Sequence, residues 1–382
     1  MIKISEKHNC NGCHACAEVC PKNCISMVAD AEGFKYPKVD SELCVECGMC
    51  EKICPVLNGS QSNNTPAAYA AVNLNDEIRS QSSSGGIFYL LAEQVITCGG
   101  VVFGAKLDGR LKVVHGYAET IEEAKAFMGS KYAQSDVGDS YSRAKEFLKE
   151  GRLVLFTGTP CQIGGLKAFL GKEYENLICQ DIICHGVPSP AVWEKYVAFR
   201  QSKAGSGAKY ASFRDKKYGW KSFSMRLDFE NGSVFEEKHK NDMFMKSFLR
   251  NFCLRPSCYH CAFKTKSRDA DITLADFWGV QKVMPSMDDD KGTSLVILHT
   301  PKGKQLFASV KDSVKYELVD LDLAIQRNSA MIKSVPVNPQ RDKFMSEIQK
   351  RSFDKVAGKY CKDKQSFVSR VKRKIKALCG KK

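Results

Sequence analysis

From about residue 67 onward the chain alternates short apolar runs with longer segments of mixed polarity. Residues 68–72, 101–105, 153–156 and 177–183 read as strands, and 271–274 and 295–298 as later ones. Residues 86–96, 140–149, 163–170 and 190–201 carry helical spacing between them. Thr120-Ile121-Glu122-Glu123 is a capping box opening a helix that runs to about residue 128. Residues 223–229 and 233–237 flank Asn231-Gly232, which accepts the positive φ angles of a tight turn, and so predict a hairpin. Strands and helices in alternation predict an α/β domain with a mainly parallel sheet. Two stretches fall outside this pattern. Residues 59–66 are polar, contain turn formers and have no apolar period, which predicts a linker. Residues 366–378 place Phe367, Val371, Ile375 and Leu378 on one helical stripe, with basic residues on the other faces.

In residues 1–58 the signal is cysteine spacing. Cys10-x2-Cys13-x2-Cys16-x3-Cys20-Pro21 recurs as Cys44-x2-Cys47-x2-Cys50-x3-Cys54-Pro55. A [4Fe–4S] cube needs four thiolates, and one tight loop supplies only three. In the two-cluster bacterial pattern the fourth cysteine of each run ligates the other cluster. This predicts Cys10, Cys13, Cys16 and Cys54 on one cube, and Cys44, Cys47, Cys50 and Cys20 on the other. Zinc sites use ligand pairs separated by a longer gap, not repeated triplets. The front of the chain therefore reads as a small ferredoxin-like, two-cluster head joined to the larger α/β domain. The predicted division is 1–58 head, 59–66 linker, 67–335 main domain and 336–382 basic helical tail.

Composition narrows the picture. Eighteen cysteines without a signal-peptide core at residues 1–10 argue for metal or redox use in a reducing, cytoplasmic setting. The formal charge is +15, and residues 341–382 hold fifteen Lys/Arg against four Asp/Glu. The charge is thus concentrated in the tail, and a nucleic-acid partner is not expected. The tail reads as a helix docked on the domain, with an acidic partner or a peripheral position on an acidic membrane surface as the sharper reading.

Further chemistry lies in the main domain. In Phe156-Thr157-Gly158-Thr159-Pro160-Cys161-Gln162 a buried strand turns into a helix, with Thr159 at the N-cap and Pro160 at the first position. Cys161 then sits near the positive helix end, which favours its thiolate. Its readings are a redox thiol, a metal ligand or an ordinary half-buried cysteine. Asp181-Ile182-Ile183-Cys184-His185-Gly186 delivers a second cysteine at a strand end, and Cys258-Tyr259-His260-Cys261 brings two at ligand spacing. Together they are candidates for a third cluster, with Cys253 as the rival ligand and zinc as the rival metal. Cys24, Cys98, Cys179, Cys361 and Cys379 read as plain thiols.

Ser83-Ser84-Gly85-Gly86, Gly129-Ser130-Lys131-Tyr132, Gly158–Gln162, Asp181–Gly186 and Cys258-x2-Cys261 followed by Ala270-Asp271-Ile272 occur in this order. Together they resemble the coenzyme F420 hydrogenase/dehydrogenase beta-subunit family over roughly residues 67–300. The resemblance implies FAD beside one [4Fe–4S] cluster, and it implies Cys161, Cys184, Cys258 and Cys261 as that cluster's ligands. There is no Gly-x-Gly-x-x-Gly fingerprint, so a standard Rossmann site is excluded. Ser84, Gly85 and Gly86, opening a helix, are candidates for the flavin, with a plain helix cap as the alternative. Lys131 is a candidate for the flavin N1 edge, where a cation stabilises the anionic reduced ring. No catalytic residue is assigned.

The expected protein is an iron–sulfur flavoprotein oxidoreductase. It passes electrons between ferredoxin-type clusters and a hydride-type partner, coenzyme F420 or another organic substrate, through FAD. Its expected partners are a ferredoxin or another low-potential redox protein and a redox-active small molecule. The alternative is a non-catalytic electron-transfer subunit wired to a partner enzyme.

Overall fold

The computed structural model describes residues 1–59 and 62–363. The predicted helix at 366–378 lies outside the described residues.

The head opens each cysteine run with a short irregular loop and pairs two strands, β1 (Ile25–Ala29) and β2 (Lys35–Val39), antiparallel. Its interior is small: Ile2 and Ile25 pack with Cys16, Cys24 and Cys50. Three of the five buried side chains in this cluster are cysteines, so the head has little apolar surface of its own with which to offset chain entropy.

The body begins with β3 (Ala67–Asn73), β4 (Val101–Leu107), β5 (Val113–Ala118), β6 (Val154–Thr157) and β7 (Leu177–Ile182). A separate antiparallel sheet follows, made of β8 (Ala208–Asp215), β9 (Ser224–Phe229) and β10 (Val234–Lys238). The turn at Asn231-Gly232 joins β9 to β10, with Gly232 at φ 81°. The chain then returns through β11 (Ile272–Asp276), β12 (Ser294–Leu298) and β13 (Val314–Val319). The large sheet runs β13-β3-β12-β11-β7-β6-β4-β5.

Only the centre of that sheet is parallel. The pairs β4/β6, β6/β7 and β7/β11 are parallel, and the other four are antiparallel. This corrects the expectation of a mainly parallel sheet, for two physical reasons. The β4–β5 turn is too short for a crossover, since Asp108 closes it by accepting from Arg110 and Lys112. On the other flank β3 enters between β12 and β13 and runs against both.

Both faces of the parallel centre are covered, which is why 154–156 is apolar without alternation. Leu155 faces Leu91 and Val95 of the helix Ile87–Thr97. Val154 and Phe156 face Tyr141 of the helix Ser140–Lys149, and Ile163 and Leu166 of the helix Pro160–Leu170. The helices Arg341–Lys350 and Phe353–Tyr360 bury Phe344, Met345, Ile348, Phe353 and Val356 in the core around β8–β10. The predicted tail boundary at 336 is therefore corrected: through Cys361 the chain packs into the body.

The head is docked through many polar contacts. Arg341 donates to both oxygens of Glu32 at 2.6 and 3.0 Å. Lys35 pairs with Asp136, and the Ser142 amide donates to Glu18 at 2.8 Å. Of the predicted linker, Ser62 donates to Asp269 at 2.6 Å and Asn64 to the Arg268 carbonyl at 2.9 Å, so this part is pinned to the body.

Candidate functional site

The two cysteine loops repeat each other in backbone as well as spacing. Gly12 and Glu46, each two residues into its run, have φ 65° and 51°; His14 and Gly48, each four residues in, have φ 68° and 71°. Residues in this region turn successive N–H groups inward, and such concavities receive anions. The Gly12 amide already points at Cys10 Sγ, at 3.4 Å.

The cysteines fall into three neighbouring sets. Cys10, Cys13 and Cys16 lie within electrostatic reach of Cys54, as the crossed-ligand pattern requires. Cys20, Cys44, Cys47 and Cys50 line one cavity in the head. Cys161, Cys184, Cys258 and Cys261 line another, at the body's edge. Among the described residues no three His, Cys, Asp or Glu side chains close tightly enough to hold a single ion. The thiols border a space instead of converging on a point.

Burial pushes the thiols of Cys13, Cys161 and Cys258 up, with neighbouring sulfurs adding to the shift. Desolvation likewise raises Cys16, to about 12, and Cys184. The expectation that the helix end makes Cys161 a ready thiolate is thereby corrected: Cys161 is enclosed by protein and by other sulfurs, and those effects outweigh the dipole and the Thr159 hydroxyl 3.1 Å away. Buried thiols of this kind ionise when a bound metal supplies positive charge. The donor set, four sulfurs around one cavity, fits an iron–sulfur cube. It does not fit an activated nucleophile.

Second contacts support the third set. Val187 donates its amide to Cys258 Sγ at 3.4 Å, and Lys264 donates to the Cys184 carbonyl. His185 is held by Asn251 at 2.8 Å, and its pKa is lowered mainly by burial. Cys253 is fully buried beside Cys361 in the apolar core, away from the cavity, so it drops out as a rival.

The sets are contiguous. Cys50 lies within electrostatic reach of Cys16, and Cys13 of Cys161. The helix Pro160–Leu170 makes the second junction. Cys161 and Gly165 share one face, four residues apart. A Cβ on Gly165 would lie 2.9 Å from Cys13 Cβ and 3.1 Å from its sulfur.

Sequence reasoning set Cys24 aside, whereas the structure places its sulfur 3.3 Å from Cys20 Sγ, lining the same cavity. Five thiols therefore surround a site that needs four. We expect Cys20→Ala to keep the second cluster, with Cys24 taking the empty corner. The Cys20→Ala/Cys24→Ala double variant should lose about four iron atoms per chain. Iron analysis with EPR checks this, and equal iron loss in the single and double variants would reject it.

The proposed flavin contacts are placed as follows. Ser84 donates to the Thr293 carbonyl at 2.9 Å, and Ser294 accepts from the Gly85 amide at 2.9 Å. Gly85 is pressed against the Ala71 carbonyl with no room for a side chain, and Gly86 caps the next helix at φ 82°. Both glycines are buried, and these contacts are those of packing and capping. Ser83 Oγ accepts from the Ser130 amide at 2.7 Å and so joins the two motifs. Lys131 donates to the carbonyls of Ala126 and Met128 at 2.8 and 2.7 Å, and burial lowers its pKa to about 7. His115 was missed from the sequence. It sits on β5, with Nε2 3.1 Å from the Thr157 carbonyl and a buried Nδ1 that has no partner among the described residues. Burial lowers its pKa to about 4. The aromatic and charged segment 213–220 is packed: Phe213 and Trp220 are buried, and Lys216 donates to the Ser84 carbonyl at 2.6 Å.

Two cysteine-lined loops in a small head, docked on an α/β body, define an iron–sulfur electron-transfer protein. Residues 9–58 match the 4Fe-4S dicluster domain, and residues 151–323 match the C terminus of the coenzyme F420 hydrogenase/dehydrogenase beta subunit. The chain thus joins a dicluster domain to a domain that matches the C terminus of that beta subunit. Over 42 residues it is 43% identical to a 7Fe ferredoxin of Hydrogenibacillus schlegelii, covering 11% of this chain and 47% of that one. Over 286 residues it is 23% identical to an uncharacterized protein of Methanocaldococcus jannaschii, covering 66% and 77%. The chain thus spans about half of the first relative's length and three quarters of the second's. A solved structure of the F420-reducing [NiFe] hydrogenase complex from Methanosarcina barkeri aligns at TM-score 0.46 and 19% identity, over 78% of this chain and 91% of that one. Among the described residues no helix is long and apolar enough to cross a membrane.

Proposed function

We propose that this protein is an iron–sulfur flavoprotein oxidoreductase that relays electrons between a low-potential redox protein and a small hydride carrier, with coenzyme F420 as the first candidate. The observation that carries the reading is the unbroken order of the three thiol sets, from the head's outer loop to the ends of the central strands. In it, Cys10, Cys13, Cys16 and Cys54 hold the first cube, and Cys20, Cys44, Cys47 and Cys50 the second. Cys161, Cys184, Cys258 and Cys261 hold a third.

FAD, when bound, supplies the junction between one-electron and hydride chemistry. The residues near the strand ends suit it. His115 offers an unsatisfied buried nitrogen, and Lys131 a buried amine whose charge a neighbouring anion would restore. Ser83 and Ser130 fix the two motifs relative to each other. Pro160, Val187 and Phe263 give the third thiol set an apolar wall, and Arg255, Lys264 and Arg268 place positive charge around it.

Anaerobic purification with iron, sulfide and flavin analysis tests the scheme. About twelve iron atoms and one FAD per chain are expected. Eight irons with no flavin would leave only a ferredoxin head.

Lys131 gives a pH test. Its folded pKa, about 7, lies below the ordinary value of about 10.4. Protonation therefore opposes folding. The penalty is complete below about pH 7 and disappears as pH rises toward the free value. Relative to the wild type, Lys131→Met should be favoured most at pH 6 and progressively less toward pH 9, measured as the Tm difference on flavin-free protein. A pH-independent difference would show that Lys131 keeps its normal pKa. In flavin-loaded protein the same variant should bind FAD more weakly.

A further inference from the structure

We propose that Arg255 is the resident counter-charge of the first head cluster and holds its reduction potential above that of the second. Five arginines are buried: Arg79, Arg214, Arg255, Arg268 and Arg341. Four of them have a carboxylate partner, namely Asp289, Asp276, Asp181 and Glu32 in that order. Arg255 is fully buried and has none among the described residues. Its Nε donates to the Cys10 carbonyl at 2.8 Å, Nη1 to Gln134 Oε1 at 2.9 Å and Nη2 to the Lys35 carbonyl at 2.9 Å. Nη2 also lies 3.6 Å from Cys10 Sγ. The rings of Phe34 and Tyr36 flank the guanidinium at 5.5 and 4.3 Å.

A desolvated cation held only by carbonyls and an amide is costly unless an anion completes it. The nearest such anion is an iron–sulfur cube on Cys10, since an all-thiolate cluster carries net negative charge. Net charge and hydrogen bonds to sulfur are two of the levers that set cluster potential. Arg255 applies both, and each favours the more negative, reduced state.

The duplicated loops provide an internal control. Gly12 must lack a side chain, because its Cβ would lie 2.8 Å from Arg255 Nη1. The corresponding residue of the second run is Glu46, an acid on the surface; among the described residues the second cavity has no buried cation, its only basic lining groups being the exposed Lys22 and the N-terminus at Met1. Arg255 also lines the third cavity, so its charge stands between the first and third thiol sets. An electron arriving at the head would then settle on the cluster adjoining the body.

The inference rests on the two head clusters, not on flavin or the third cluster. The test is a potentiometric EPR titration of the full-length, iron-loaded protein. Signals are assigned to each cluster through Cys10→Ser and Cys44→Ser variants. In the wild type the first cluster is reduced before the second. Arg255→Gln should lower the first cluster's midpoint by about 59 mV or more, a tenfold change in its reduction equilibrium. The second midpoint should stay in place, and Arg255→Lys should recover most of the loss. A reversed order in the wild type overturns the proposal, as do equal shifts in both clusters or equal shifts in the Gln and Lys variants. Should Arg255→Gln fail to hold its iron, the wild-type order and the Lys variant still decide.

Discussion

Replacing Cys161 with serine should remove about four of some twelve iron atoms per chain and stop electron flow from the head to a bound flavin. The reason is placement. Cys161 is one of four sulfurs around the body's cavity and lies within electrostatic reach of Cys13 in the head. With one corner gone, Cys184 and Cys258 remain enclosed thiols, and burial opposes the ionisation a metal requires. The head keeps its own eight proposed ligand sulfurs, so both head clusters should still be reduced by a chemical reductant. Iron analysis and stopped-flow absorbance separate the two effects. Cys253→Ser is the control: its sulfur is buried beside Cys361 and away from the cavity, so iron content should not change. Unchanged iron in the Cys161 variant would remove the third cluster from the scheme.

The head was legible because a cube demands thiols at fixed spacing, and spacing is visible in one dimension. The third set was only half legible. Cys161, Cys184, Cys258 and Cys261 come from three separated segments, so their meeting depends on the order of β6, β7 and β11 in the sheet. That order was not readable. β5 contains His115 and Gly116 and lacks a strong strand pattern, and nothing local shows that β3 inserts between β12 and β13. The N-cap geometry at Thr159 and Pro160 appeared as predicted, with its capping box closed by Gln162. The electrostatic consequence drawn from it failed, because the burial of Cys161 is a property of the packed site and not of the helix. Arg255, His115 and Cys24 were missed for the same reason. Each is an ordinary residue type at an ordinary position until the tertiary fold places it against a thiol set or leaves one of its atoms without a partner.

Gly165→Val should disconnect head from body without replacing any cysteine. Gly165 lies within the helix Pro160–Leu170, where alanine would ordinarily be the better helix former. Here a side chain has nowhere to go. Its first carbon would lie 2.9 Å from Cys13 Cβ and 2.9 Å from the Tyr141 hydroxyl. Tyr141 is fully buried and donates to the Gln162 carbonyl at 2.8 Å, so it cannot swing aside. Cys13 is the softer neighbour and also a ligand, so relief of the clash displaces the first cluster's corner. Overpacking of this kind costs about 1–3 kcal/mol, which the body's large sheet should tolerate. The expected result is a folded protein that loses the first cluster's EPR signal or shows it altered, retains the second, and transfers electrons from head to flavin at a small fraction of the wild-type rate. Gly165→Ala should show the same defect in milder form. Circular dichroism, EPR and rapid-mixing kinetics on the same preparations measure all three. Wild-type transfer in the valine variant would mean that electrons do not pass from Cys13 to Cys161, and the path would have to run through the Arg255 side of the interface instead.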